Sequence, residues 1–196
     1  MQKLKILFLV SAFGFFGFAA VSQTTWKADP AHSSVNFKVK HSGISLVTGK
    51  FEKFEGTLAG DSANFSDAKI SFTVQTSSIN TSVTPRDNHL RSADFFEVEK
   101  YPEMKFESTR MEKKAVDQYL LFGNLTIKNV TKPVVFEVTH GGHFKNDRGE
   151  KHGFQASYTI DRTDFNVSYD PTGAGIGKNV EINLYLQMVK QKAENP

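Results

Sequence analysis

Apolar and polar side chains alternate with period two along most of this 196-residue chain, and nothing else in the sequence restricts the fold as much. Successive side chains of a strand point to opposite faces, so alternation marks a strand with one buried face. Val35, Phe37 and Val39 alternate with Asn36, Lys38 and Lys40; Ile70, Phe72 and Val74 repeat the pattern, as do Met104 and Phe106 against Lys105 and Glu107. Val134, Phe136 and Val138 flank Glu137, and Phe154, Ala156, Tyr158 and Ile160 oppose polar neighbours. The cleanest face is Val180, Ile182, Leu184, Leu186 and Met188, set against Glu181, Asn183, Tyr185 and Gln187. Lys50–Leu58 and Gln118–Lys128 bring the count to eight strands.

Turn signals separate these segments at Gly60-Asp61, Lys114–Asp117, Asn129-Val130, Asn146–Gly149 and Pro171–Gly173. Lys50–Leu58 slips phase between Phe51 and Phe54, which predicts a β-bulge. Gln118–Lys128 is apolar on both faces at Leu120, Leu121 and Phe122. Its outer face is therefore expected to meet another element or a second copy of the chain, making a homodimer. Eight antiparallel strands in one domain favour an all-β, up-and-down barrel over a sandwich, because closure removes exposed strand edges.

One insert breaks the alternation. In Thr84–Pro102, Thr84 and Asp87 have capping-box spacing and Pro85 suits a first helical position, so a short helix is expected to start at Thr84. Aromatic residues follow at Phe95, Phe96 and Tyr101, and Pro102 helps stop the helix. A short aromatic plug of this kind suits closing one mouth of a barrel.

Residues 1–22 read as a cleaved signal peptide: Lys3 and Lys5 precede an apolar run from Ile6 to Ala20, and Ala20 and Ser22 are the small residues of a cleavage site. The run is short for a membrane span. A mature domain of residues 23–196 and a periplasmic location are expected. The formal charge of +3 includes Lys3 and Lys5, and the remaining basic residues form no stripe, so nucleic acid is not an expected partner. Without any cysteine the exported chain must be held by its core. The N-x-S/T sequons at Asn64, Asn80, Asn124, Asn129 and Asn166 fit a Thr/Ser/Asn-rich β composition and are not taken as glycosylation sites.

Several stretches occur in order: WKADPAHSSVNFKVKH at Trp26–His41, GKFEKFEGTL at Gly49–Leu58, RDNHL at Arg86–Leu90, SADFF at Ser92–Phe96, YPEMKFES at Tyr101–Ser108, GNLTIKNVTKPV at Gly123–Val134 and IGKNVEINL at Ile176–Leu184. Together they resemble the YceI-like family of periplasmic polyisoprenoid-binding proteins. The chain departs at Asn129 and Asn166, where the family usually carries Gly; Asn tolerates the left-handed backbone well enough to preserve both turns. The resemblance implies an extended lipocalin-like barrel holding an isoprenoid chain, such as a quinone tail or polyprenyl phosphate, without cofactor, metal or catalysis.

Alternation alone does not distinguish a filled from a hollow barrel. For a hollow one, the expected lining is Phe37, Val39, Phe51, Phe72, Val74, Phe106, Phe136, Phe154, Tyr158, Ile182 and Leu184, with Phe95 and Phe96 as the lid. Arg86 and His89, together with Asp87, Arg91, His32 and His41, are the polar groups available to a head group. The chain is expected to exchange its ligand in transient contact with the inner membrane. The alternatives are an isoprenoid-processing enzyme built on Arg86, Asp87 and His89, and a ligand-free structural barrel.

Other motifs carry less. Gly173, Gly175 and Gly177 precede a strand instead of joining a strand to a helix, which excludes a dinucleotide fingerprint. Asp29, His32 and Ser33 lie too close in sequence to form a hydrolytic triad by themselves. His140, His143 and His152 flank the Asn146–Gly149 turn; on a regular strand His140 and His143 face opposite ways, so solvated hairpin histidines are expected and no zinc site.

Overall fold

The structure, a computed structural model, describes residues 24–61 and 64–192. The expected signal segment, residues 1–22, and the two residues following the Gly60-Asp61 turn signal lie outside the described residues. Eleven strands form one antiparallel sheet: β1 (Thr25–Ala28), β2 (Ser34–His41), β3 (Ser45–Phe51), β4 (Phe54–Asp61), β5 (Asn64–Gln75), β6 (Ile79–Asn80), β7 (Glu103–Ala115), β8 (Gln118–Ile127), β9 (Val130–Asn146), β10 (Gly149–Asp161) and β11 (Ile176–Lys190). Among the described residues one α-helix, α1 (Thr84–Arg91), stands between β6 and β7.

Eight of these strands close a ring, β1-β4-β5-β7-β8-β9-β10-β11, through the pairing of Trp26–Ala28 with Met188–Lys190. The other three are continuations of ring strands past short interruptions. β2 pairs with the earlier part of β11, β3 with β2, and β6 with β3. The expected eight strands are thus present, three of them bent in two.

The bends have local causes. Between β1 and β2, the Asp29 carboxylate caps a 3₁₀ turn (Pro30–His32), accepting from Ala31 N at 3.0 Å and bonding His32 Nδ1 at 2.7 Å. Ser33 Oγ accepts from Gln187 N at 3.0 Å, which stitches the turn to β11. His32 is therefore held in this turn. The Phe51/Phe54 phase slip is not a bulge but a break at Glu52-Lys53 that ends β3 and starts β4, and both rings are buried.

The core is one contiguous interior running from Trp26 and Phe65 at the hairpin end to Phe95 and Phe165 at the helix end. The outer face of β8 meets a side chain of the neighbouring strand β7, one of the two alternatives expected for it. Leu120 and Phe122 are half-buried, and the Arg110 guanidinium lies over the Phe122 ring at 3.5 Å from its centre, so that ring is covered from within the chain.

The helix starts as expected but is held differently. Val83 precedes it without a side-chain cap, and Asp87 reaches back past Thr84 to Thr81, accepting from its N–H at 2.9 Å and from its hydroxyl. At the two family departures, Asn166 takes the left-handed conformation (φ 58°), whereas in the β8–β9 turn Lys128 takes it (φ 54°) in place of Asn129. Among the described residues no helix is long and apolar enough to cross a membrane.

Candidate functional site

Two cavities lie in line within the barrel. The lower, of about 120 Å³, is walled by Phe72, Phe106, Met111, Phe136, Phe154 and Leu184 among others. The upper, of about 110 Å³, lies between Phe37, Phe51, Val180 and the lid residues Leu90, Phe95 and Phe96. Met104, Ile127 and Ile182 belong to both walls and form the constriction between the chambers.

The lumen stays open because three phenylalanine rings lie against glycines of neighbouring strands. A Cβ on Gly49 would stand 2.4 Å from the Phe37 ring, one on Gly56 2.5 Å from Phe72, and one on Gly123 2.3 Å from Phe106. Each ring occupies the space a side chain would have filled, and so lies along the wall. These glycines stand in the sequence, yet only the register shows that Gly49 and Gly56 lie opposite Phe37 and Phe72 and that Gly123 lies diagonal to Phe106.

At the helix end, the lid is the insert running from α1 to Pro102. Arg86 Nε donates to Thr81 Oγ1 at 2.7 Å and a terminal nitrogen to Thr81 O at 2.9 Å; Arg91 donates to Ser77 O at 2.8 Å and Ile79 O at 2.7 Å. These groups pin the insert to the edge near β6. Along its other side His89 bonds Asp94 at 2.8 Å and packs edge-on against Phe95 (5.0 Å) and Tyr169 (4.9 Å), joining the insert to the loop after β10.

That loop is organised by Arg162, a buried residue the sequence reading passed over. Its five N–H groups donate to five backbone carbonyls: Gly177, Val167, Tyr169, Asp170 and Ile176, at 2.6–3.0 Å. With every donor engaged, it offers charge but no free hydrogen bond to a ligand. The signal was available: Arg162 continues the inward phase of Phe154, Ala156, Tyr158 and Ile160. Beside it, backbone N–H groups of Ile176 and Gly175 and the Thr172 hydroxyl hold the Asp170 carboxyl down at about 2.

Of the residues expected at the site, Phe72, Val74, Phe106, Phe136, Phe154 and Leu184 wall the lower chamber and Ile182 both chambers. Phe37, Val39, Phe51, Phe95 and Phe96 wall the upper one. Tyr158 stands behind them, its ring 5.4 Å from Phe136. Arg86 and His89 line neither chamber; Arg86 is engaged with Thr81, and His89 sits at the lid seam. His41 is exposed near the β2–β3 tip, beside Ser42 at 3.3 Å.

The hairpin end departs most from expectation. Trp26, Phe65, Tyr119, His140, His152 and Phe154 pack there as a plug, Phe65 meeting the other four ring neighbours Tyr119, His140, His152 and Phe154 at 5.2–5.9 Å. The histidines are not simply solvated: His152 is only 3% exposed, and burial pushes its imidazole down to about 4, keeping it neutral. Nor do His140 and His143 face opposite ways. Gly141 is an extra residue in the β9–β10 ladder, so His140 pairs with Phe154 and His143 with His152 on one face.

A closed antiparallel barrel with an apolar interior, lidded at one end and plugged at the other, defines the lipocalin-like class of barrels that hold one small hydrophobic ligand. The model of the YceI-like domain matches residues 26–188, and the chain belongs to that family. A UPF0312 protein of Pectobacterium atrosepticum is 37% identical over 192 residues, covering 97% of this chain and 98% of the relative. Protein YceI of Salmonella agona is 37% identical over 187 residues, covering 90% and 96%. Among solved structures, the Campylobacter jejuni YceI protein superposes with a TM-score of 0.71 at 29% identity, over 96% of this chain and all of that one. A polyisoprenoid-binding domain from Saccharophagus degradans shares the fold, with a TM-score of 0.66 at 15% identity over 85% and 98% of the two chains.

Proposed function

We propose that this protein is exported to the periplasm as the mature domain 23–196, where it binds and carries an isoprenoid lipid without catalysing a reaction on it. The observation that carries the reading is the two-chambered lumen walled mostly by apolar side chains, with Arg162 on the wall of the upper chamber and rings drawn against glycines so that space remains. A solved polyisoprenoid-binding domain with the same fold supports the choice of ligand.

Burial of apolar carbon stabilises by about 0.8 kcal/mol per CH₂, so each five-carbon isoprene unit contributes roughly 3–4 kcal/mol before the costs of ordering. An apolar cavity of about 150 Å³ accepts a benzene molecule. Each chamber therefore suits about one isoprene unit as it stands, and a longer chain requires the constriction to yield. Met104, unbranched and flexible, is the residue best suited to give way.

The ligand passes between the insert and the Arg162 loop, where the seam is a contact of three rings, His89, Phe95 and Tyr169. Of the polar candidates only His89 lies at this seam, so it is the residue that meets a head group. Asp87 is engaged with Thr81, which argues against a catalytic Arg86–Asp87–His89 set. Ile44, 91% exposed, and Leu46 project from the β2–β3 hairpin and provide the transient membrane contact through which lipid is exchanged.

The test is native mass spectrometry of the purified mature protein, then solvent extraction and mass analysis of what is released. A stoichiometric polyprenoid is the expected result. An apo mass unchanged by incubation with quinones and polyprenyl phosphates would overturn the proposal.

A further inference from the structure

The plug at the hairpin end holds a set of side chains that lipid binding does not use. His143 Nε2 lies 2.9 Å from Glu150 Oε1, and His152 lies beside them on the same face. One nitrogen or oxygen from each of His143, Glu150 and His152 falls within 4.8 Å of the others. We propose that these three residues bind a divalent transition-metal ion of the zinc type, with His140 and Asp117 fixing the tautomer of His152.

The tautomer follows from the chain of partners. The Asp117 carboxylate stands 3.5 Å from His140 Nδ1 and favours the proton on that nitrogen. In neutral His140 this makes Nε2 the acceptor, so His152 Nδ1, 2.9 Å away, is the donor. The remaining nitrogen of neutral His152, Nε2, then carries a bare lone pair. It is buried and has no hydrogen-bond partner among the described residues. A buried acceptor left unpaired is costly, and a carboxylate–histidine–histidine order ending in a free lone pair is how a ligating imidazole is oriented. The Trp26 ring meets His152 edge-on, and its Nε1–H is likewise without a hydrogen-bond partner among the described residues, so the two groups do not satisfy each other.

The carboxylate is arranged to share. Lys190 bonds Glu150 Oε2 at 2.9 Å and Lys145 lies 3.7 Å from the same oxygen, leaving Oε1 to His143. A tetrahedral ion with bonds of about 2.0–2.1 Å separates its ligands by roughly 3.3 Å, so the His143–Glu150 contact need open only slightly as the ion replaces the proton between them. His143 is partly exposed, so its ring can turn from its stacked position on His152 once the ion replaces its bond to Glu150. Two imidazoles and one carboxylate select zinc-like ions over calcium or magnesium and leave a fourth position for water. Lys145 and Lys190 weaken attraction for a cation, so micromolar affinity is expected.

The experiment is calorimetric titration of untagged, metal-stripped mature protein with Zn²⁺ alone, repeated with Co²⁺ to read tetrahedral coordination by absorption. The expected result is one ion per chain, a rise in unfolding temperature of roughly 5–10 °C at a hundredfold excess over Kd, and no comparable effect of Ca²⁺. His143→Ala and Glu150→Gln should each weaken binding at least tenfold. His140→Gln should weaken it about 10–100-fold as an orienting group. His152→Ala risks the plug itself, so the half-exposed His143 decides. Absence of binding, more than one equivalent ion, or affinity unchanged in His143→Ala would each overturn the site.

Discussion

Replacing Gly56 by alanine tests whether the barrel is hollow because its rings lie against glycine. The new Cβ would stand 2.5 Å from both Cδ2 and Cε2 of Phe72 and 3.4 Å from Ala28 Cβ, so the aromatic ring bears the clash. To regain ordinary contact the ring must retreat by about 1 Å, since carbon pairs settle near 3.5–4.0 Å. Phe54 stacks on Phe72 at 5.7 Å and limits escape along the wall, leaving the lower chamber as the way out. Overpacking of this kind costs about 1–3 kcal/mol, offset by about 0.5–1 kcal/mol for removing a strand glycine. The net cost is about 0–2.5 kcal/mol, so at roughly 2–4 °C per kcal/mol for a domain of this size the unfolding temperature should fall by up to about 10 °C. Lipid capacity should fall more than stability does, because the chamber loses space directly. Calorimetry of delipidated protein and titration with a quinone measure the two. In a Phe72→Leu background the alanine should cost less in both. Unchanged lipid capacity together with an additive double mutant would refute the argument that Gly56 makes room for the ring.

Three further outcomes are expected. Arg162→Leu leaves five carbonyls without their buried donor and should destabilise the protein by at least about 3 kcal/mol, with rapid protease cleavage between residues 162 and 175; Arg162→Lys should rescue it only in part. Ile182→Trp fills the constriction, so solvent extraction should recover shorter chains than from the parent; recovery of the same chain would show that the chambers are not occupied together. Ile44→Asp should reduce co-flotation with lipid vesicles while leaving the unfolding temperature within about 1 °C, as befits an exposed position.

How far the sequence foretold this molecule depended on whether a feature was local. The alternation at Val180–Met188 or Val134–Val138 needs only the period of a strand, and it located the barrel. The bend at Glu52-Lys53 was signalled by the Phe51/Phe54 slip, although its form as a chain break depends on backbone partners at Ser78 and Gln75. The histidines were misread because the Gly141-Gly142 irregularity shifts one strand by a residue, and only the facing ladder reveals that. Thr84 and Asp87 have capping-box spacing, but Thr81 competes successfully for the carboxylate. Arg162 stands in the inward phase in plain view; its charge conceals it, since five carbonyls from the following loop and the start of β11 neutralise the objection to burying it. Arg86 and His89 have the residue types that suit a head group, and residue type does not say which way a side chain turns.

The two ends of the barrel are closed by different means. One is a cluster of rings set among β-ladders; the other is a short insert touching a loop through His89, Phe95 and Tyr169. Such a barrel is a scabbard with a single mouth. A long amphiphile carried as proposed would enter tail foremost and be withdrawn by its head, so the closed end would settle its orientation before His89 meets the head. A receiving partner would meet every cargo molecule the same way round, and lipids with different heads on similar tails could share one carrier.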